Sequence, residues 1–289
     1  MLTRFHKAFT ACAILLCWLV AAPVVAQDAD AAPHRPRILL TNDDGINAPG
    51  LYVLEKIAAK LSDDIWICAP SEEQSGAGHA LTLTRPVRLR EHAPRRFSVT
   101  GTPTDAVTMA LKKVMPEPPD LILSGVNRGA NLGDDITYSG TVSAAMEGAL
   151  AGIRSIALSQ VPPREDMGNT VPFDAAEAWG ERVLRPLVDR EFATRSLVNI
   201  NFPAVVAADV KGIRVVRQGF HDYARGSLIE SVDPRGFPYY WFGLHPMEHT
   251  PGADTDLEAI AGDYISVTPL HLDLTHDAEL GRLAGQYEQ

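Results

Sequence analysis

Two adjacent carboxylates, Asp43 and Asp44, follow an apolar run within the stretch from Pro36 to Leu51. Held together in a partly buried cleft, two such groups repel, and a hard divalent cation between them is the simplest remedy. A solvated Asn-Asp-Asp-Gly turn is the competing reading, because Asn, Asp and Gly are the ordinary residues of tight turns. Three further stretches are dense in Gly and small polar residues: Ala69 to His79, Ser124 to Asp135, and Tyr138 to Ser143. Glycines let a backbone come close to a ligand, and amides at a helix start favour phosphate. One such loop is weak evidence, whereas three of them, each expected on the edge that carries the two acids, are hard to dismiss as turns.

These loops need a scaffold that brings them to one edge. Arg37 to Thr41 reads as a strand buried on both faces, Gly45 and Asn47 as a turn, and Pro49 as the first residue of a helix whose Leu51, Leu54, Ile57, Ala58 and Leu61 share a face. Apolar runs of strand length recur at Ile65 to Ala69, Leu121 to Ser124, Ser155 to Ser159 and Leu197 to Ile200. Helical patterns fall between them, at Gly50 to Leu61, Pro103 to Val114, Thr141 to Ala151 and Asp174 to Val188. Such alternation predicts an α/β fold with a mostly parallel sheet covered on both faces. In open sheets of this kind ligands bind beyond the carboxyl ends of the strands, which is where Asp43 and Asp44 stand. Leu81 to Arg90 alternates apolar and polar residues and predicts an exposed strand or hairpin arm. From Gly219 the chain turns irregular and aromatic through Tyr239, Tyr240 and Trp241, and Ile265 to Leu270 reads as one more strand.

The first residues carry Arg4, His6 and Lys7, then an apolar run from Ala8 to Ala22, then small residues before Gln27, which is the order of a secretory signal peptide. The apolar run falls short of the roughly 20 residues a membrane span needs, so no stable membrane anchor is expected. Removing residues 1–26 takes away Arg4 and Lys7 and no acid, which makes the formal net charge of −10 two units more negative. Binding to a nucleic acid polymer is not expected of so acidic a chain. Cys12 and Cys17 leave with the signal, so Cys68 is alone, without an internal disulfide, and sits in a run that reads as core.

The segment from Arg37 to Ser159 resembles the survival protein E (SurE) family of nucleotidases. The likeness is carried by Asn-Asp-Asp-Gly at Asn42, Gln-Ser-Gly at Gln74 and Gly-Thr-Pro-Thr-Asp at Gly101. It continues in Ser-Gly-Val-Asn-Arg-Gly-Ala-Asn-Leu-Gly-Asp-Asp at Ser124, Tyr-Ser-Gly-Thr-Val-Ser at Tyr138 and Ser-Val-Thr-Pro-Leu at Ser266. The resemblance implies a Rossmann-like three-layer fold with a C-terminal oligomerisation arm. It also implies a metal-dependent phosphomonoesterase acting on nucleoside 5′- and 3′-monophosphates. Its metal positions map onto Asp43, Asp44, Ser75 and Asn127, with Asp43 also catalytic, and phosphate would meet Asn131, Ser139, Gly140 and Thr141. Two carboxylates, a hydroxyl and an amide are an all-oxygen set suited to one Mg²⁺, Mn²⁺ or Ca²⁺ ion. Glu258 stands where some members have His and carries no role.

The resemblance further implies a homodimer or homotetramer. The expected organisation is a signal peptide over 1–26, a disordered leader over 27–35, the catalytic domain over 36–218, and an arm and strand over 219–289. The signal places the mature protein in the periplasm or outside the cell. Attack by water or by Asp43 itself both suit the residues, though phosphatases of the haloacid-dehalogenase type space their acids by one residue and these are adjacent. A broader phosphatase that includes polyphosphate is an alternative, as is an exported protein that binds a phosphate ligand without turnover. For the remaining polar residues, His79 is expected in solvent or on backbone rather than lining the site. Arg128 serves phosphate or a surface ion pair, Glu147 is a hydrogen-bonding residue, and Asp134 and Asp135 order their loop, with a second metal as the alternative.

Overall fold

The computed structural model describes residues 35–163, 171–221, 227–243 and 254–287. The expected signal peptide lies outside the described residues, as does the leader apart from Arg35. The chain runs β1 (Ile38–Thr41), α1 (Pro49–Ala58), β2 (Ile65–Pro70), β3 (Leu89–Ala93), β4 (Arg96–Val99) and α2 (Pro103–Met109). It continues with β5 (Leu121–Arg128), α3 (Gly140–Leu150), β6 (Arg154–Gln160), α4 (Asp174–Val188) and β7 (Ser196–Phe202). The last elements are β8 (Gly212–Val215), β9 (Ser227–Val232), β10 (Pro238–Gly243), α5 (Asp256–Ala261), β11 (Tyr264–His271) and α6 (Asp277–Tyr287). Among the described residues nine strands form one sheet in the order β3-β4-β2-β1-β5-β6-β7-β11-β8. Pairing is parallel except between β3 and β4 and between β7 and β11, so the expected mostly parallel α/β fold is what the chain adopts.

The alternation of side chains along a strand explains the three layers. Ile38 and Leu40, both fully buried, join Leu51, Leu54 and Ile57 of α1 and Leu184 of α4 in one core. Leu39 between them faces the other way and packs with Cys68, Ala106 and Val107 of α2, and Ala144 of α3. A strand with helices on both faces has no polar side, which is why β1 reads as a continuous apolar run. Sequence order reverses direction at β1: β2 lies on one side of it and β5 on the other. The loops after β1 and β5 therefore diverge over a crevice at the carboxyl edge.

Four segments depart from expectation. Leu81 to Arg90 is not a strand until Leu89, because Leu81 and Leu83 find no core and remain 52% and 85% exposed. That stretch is held by side chains instead: Thr82 N–H donates to Asp105 Oδ1 at 3.1 Å and Thr102 Oγ1 to Ala80 O at 2.6 Å. The aromatic segment read as irregular is a regular antiparallel hairpin, β9 with β10, in which Trp241 opposes Ile229 and Phe242 opposes Leu228. The strand expected near Ile265 is β11, placed inside the main sheet between β7 and β8, so residues 264–271 build the same sheet as β1. The helix expected over Pro103 to Val114 is α2 followed by a wider π turn at Ala110–Val114. No helix of the described residues is long and apolar enough to cross a membrane.

Candidate active site at the carboxyl edge

Asn42, fully buried at the end of β1, brackets the tight turn beyond it. Its Nδ2 donates to Gly45 O at 3.0 Å, and Gly45 N–H donates back to its Oδ1 at 3.2 Å. Gly45 takes φ +103°, a left-handed conformation that side chains resist. The turn lets Asp43 and Asp44 engage different partners. Asp43, 4% exposed, accepts a hydrogen bond from the Thr141 hydroxyl in the first turn of α3. Asp44, half-buried, accepts from Arg128 N–H at the end of β5 at 3.1 Å.

The closeness of Asp43 to α3 depends on Gly140. A Cβ there would lie 2.7 Å from Asp43 Cβ, 3.0 Å from Asp43 Oδ2 and 3.1 Å from Pro103 Cγ. Ser139 caps the same helix by accepting from Val142 N–H at 3.0 Å, and Ser143 Oγ donates to Ser139 O at 2.6 Å. Ser139 is thus the cap of α3, which starts at Gly140, one residue before the Thr141 at which its pattern begins. Burial pushes the Asp43 carboxyl up to about 6; the Thr141 hydroxyl pulls the other way, and the neighbouring Asp44 charge adds to the rise. Burial raises Asp44 as well, against the pull of Arg128 through its amide and guanidinium.

The other metal-assigned residues approach through a chain of contacts. Gln74 N–H donates to Asp43 O at 2.8 Å, which ties the loop after β2 to the acid pair. Beside it Ser75 Oγ donates to Glu73 Oε1 at 2.9 Å, and Glu73 pairs with Arg128 at 3.2 Å. Asn127 is buried, and its Nδ2 donates to Gly129 O at 3.0 Å, which turns its Oδ1 the other way. It is aimed by an irregularity: the β5–β6 register slips between Ser124 and Asn127, and at Gly125 a Cβ would come within 2.2 Å of Leu158 O. The donors are hard oxygens throughout, and the buried Asp43 meets a hydroxyl and a second carboxylate rather than a basic side chain. The set fits a hard divalent cation, whose charge would offset both raised carboxyls.

Asn131 is 6% exposed and committed to a buried network. Its Nδ2 donates to Ser159 Oγ at 2.8 Å, its N–H to Asn201 Oδ1 at 2.9 Å, and its carbonyl accepts from Asn199 and Asn201 at 2.8 and 2.9 Å. Sequence reading passed over these partners, although Asn at 199 and 201 in an apolar strand puts two amides on one face. Asp256 was passed over too. Fully buried, it accepts from Gly133 N–H at 2.9 Å, Gly219 N–H at 2.8 Å and Leu257 N–H at 3.0 Å, tying the loop after β5 to the start of the C-terminal segment. Asp134 orders that loop as expected, with a partner the sequence did not reveal: His221 donates its backbone N–H and brings Nδ1 to 2.8 Å. Asp135 and His221 complete a cluster whose ligand atoms lie within 4.8 Å of one another. His79 stands on a side chain, Glu147 Oε2 at 3.1 Å, whose other oxygen accepts from Thr108, so it clasps the loop after β2 to α3 and α2.

The family model for survival protein SurE matches residues 38–225. A 5′-nucleotidase SurE of Erythrobacter litoralis is 63% identical over 87% of this chain and 100% of its own length. Another, from Rhizorhabdus wittichii, is 63% identical over 87% of this chain and 99% of its own. Among solved structures, the SurE protein from Aquifex aeolicus superposes with a TM-score of 0.73 at 36% identity, covering 87% of this chain and 99% of that one. With the strand-end acids, the capped α3 and the buried asparagine network all inside the matched span, the chain belongs to the SurE family.

Proposed function

We propose that this protein hydrolyses nucleoside 5′- and 3′-monophosphates to nucleoside and phosphate, with one divalent ion, Mg²⁺, Mn²⁺ or Ca²⁺, at Asp43, Asp44, Ser75 and Asn127. The observation that carries the reading is the buried Asp43 carboxylate lying against the glycine start of α3, with a second acid beside it. The names of the relatives, 5′-nucleotidase SurE, agree with it. When bound, the ion supplies positive charge for the phosphate oxygens and acidifies a neighbouring water. Gly140 and Thr141 offer first-turn amides, and the positive end of α3, to charge growing on the phosphoryl group. Ser139 keeps that turn in shape through its cap, and Asn131 contributes by pinning the adjoining loop. Asp43 orients the attacking water and takes its proton, its buried carboxylate being held beside the first turn of α3 by the Thr141 hydroxyl.

Phosphate release from AMP tests this directly. Chelator-treated protein is expected to release none, and Mn²⁺ or Mg²⁺ to restore the rate. Binding of AMP without release under any metal would replace the enzyme reading with that of a binding protein.

We further propose that the protein is exported and matures near Gln27. N-terminal sequencing of the exported product is expected to begin there, and an intact Met1 on a soluble cytoplasmic product would sink the idea.

Assembly into a homodimer or homotetramer through residues 219–289 completes the proposal. The β9–β10 hairpin exposes Leu228, Ile229, Trp241 and Phe242 at 63%, 52%, 65% and 87%, more apolar surface than an isolated two-stranded ribbon is expected to leave in water. Light scattering should report more than one copy per particle, and deletion of residues 227–243 should lower that mass or cost solubility. An active monomer both before and after deletion contradicts the proposal.

A further inference from the structure

A cleft of about 340 Å³ opens beside the acid pair, on the α1 side of the sheet. Asp44, Glu73 and Arg128 form one wall, and Ala48, Val171 and Phe173 are among the residues that complete it. Its size lies at the lower end of the roughly 300–1,000 Å³ usual for small-molecule sites. It is continuous with the candidate active site, because Asp44 and Arg128 belong to both and are joined by the 3.1 Å bond from Arg128 N–H. Phosphate held at α3 would lie on the far side of β1, so whatever the phosphate is attached to has this cleft as a neighbour across the crevice.

The walls differ in chemistry. Phe173, just before α4, is half-buried against the core shared by α1 and α4 and turns part of its ring into the cleft. Its position depends on Gly50, where a Cβ would come 3.1 Å from Phe173 Cζ and 1.9 Å from Val126 O. The ion pair of Arg128 and Glu73, 42% and 52% exposed at their side chains, lines the same cleft and offers donors and acceptors there. An aromatic face with polar groups around it is the pattern that receives a flat, edge-polar ring, since every base has a π face and hydrogen-bonding edges.

We propose that this cleft is the nucleobase subsite, with Phe173 as the surface against which the base stacks and the Arg128–Glu73 pair at its edge. This rests on the nucleotidase reading above and adds to it the residue that distinguishes a nucleotide from a bare sugar phosphate. The test compares AMP with ribose 5-phosphate, which keeps the ester and lacks the base. Phe173→Ala is expected to raise the KM for AMP about tenfold, the loss of one base–aromatic stack, while the KM for ribose 5-phosphate moves less than about twofold on the same principle.

An equal rise for both esters, or no rise for AMP, overturns the proposal. Should Phe173→Ala fail to fold, Phe173→Leu keeps an apolar side chain of similar size and removes the π face, and the same split is expected in smaller measure. If the wild-type protein releases phosphate from neither ester, the nucleotidase reading is what falls. Adenosine binding by calorimetry then decides the cleft alone: retention in the wild type and loss in the variant support it, and equal binding or none in the wild type overturns it.

Discussion

Asp43→Asn is expected to lose phosphate release from AMP by about 10³-fold, in the range for removal of a general base, and saturating Mn²⁺ is not expected to restore it. The shape of the side chain is kept, so the bond from Thr141 survives while one negative charge and the proton acceptor are lost. Recovery with excess Mn²⁺ would reduce Asp43 to a ligand, and wild-type turnover by a folded variant would remove it from the site. The same substitution has a signature in stability that needs no substrate. The folded carboxyl is raised from 3.8 to about 6, so the folded state holds this proton more tightly than the unfolded one. Its contribution is complete below the unfolded value and is lost as pH climbs through about 6. Metal-free wild type should therefore lose on the order of 2–3 kcal/mol from this group between pH 4 and 7, and Asp43→Asn should not. Thermal melts of both proteins in chelator across that window, and the same melts with Mn²⁺ added, measure the difference.

Gly140→Ala is the second large effect, and it is steric rather than electrostatic. The added methyl would overlap Asp43 Cβ at 2.7 Å and press on Pro103, so either the carboxylate or the start of α3 must shift. Displacements of about 1 Å at reacting groups cost on the order of 10²-fold in rate. The expected result is a loss of kcat of that size. Gly281→Ala, in α6 with nothing within 4 Å of the new methyl, is the matched control and should leave kcat and folding intact. Equal kcat in Gly140→Ala and wild type would mean that the close approach of Asp43 to α3 has no part in turnover.

How much of this could be read from the chain follows from where each residue finds its partners. β1, α1 and α4 were legible because their apolar periodicity records burial directly: Ile38, Leu40, Leu54 and Ile57 are all buried, and α4 spans the Asp174 to Val188 that its pattern marks. The places of Asp43 and Asp44 beyond β1, and of the Tyr138 to Ser143 stretch at the start of α3, were legible because strand ends and helix starts have local signatures. Asp256 and Asn201 were not. Asp256 meets Gly133 and Asn201 meets Asn131 across 123 and 70 residues, and nothing local distinguishes a carboxylate that satisfies three buried amides from one in solvent. The β9–β10 hairpin escaped for another reason: with aromatic residues on both faces it lacks the inside–outside alternation that marks a half-buried strand. Leu81 and Leu83 gave the opposite error, alternating without any core to face.

Cys68 sits in the middle of β2, fully buried, with its thiol pushed up to about 12 by burial. Beyond residue 26 it is the single cysteine of the chain. A thiol in that state is closed to alkylating reagents while β2 stays between its neighbours β1 and β4. Its labelling rate in native buffer therefore counts the excursions in which the packing of β2 against Ala106 and Val107 of α2 opens, and the ratio to the rate for a free thiol gives the free energy of that opening. The protein thus carries its own clock for that opening, on the strand that pairs with the one leading into the acid pair.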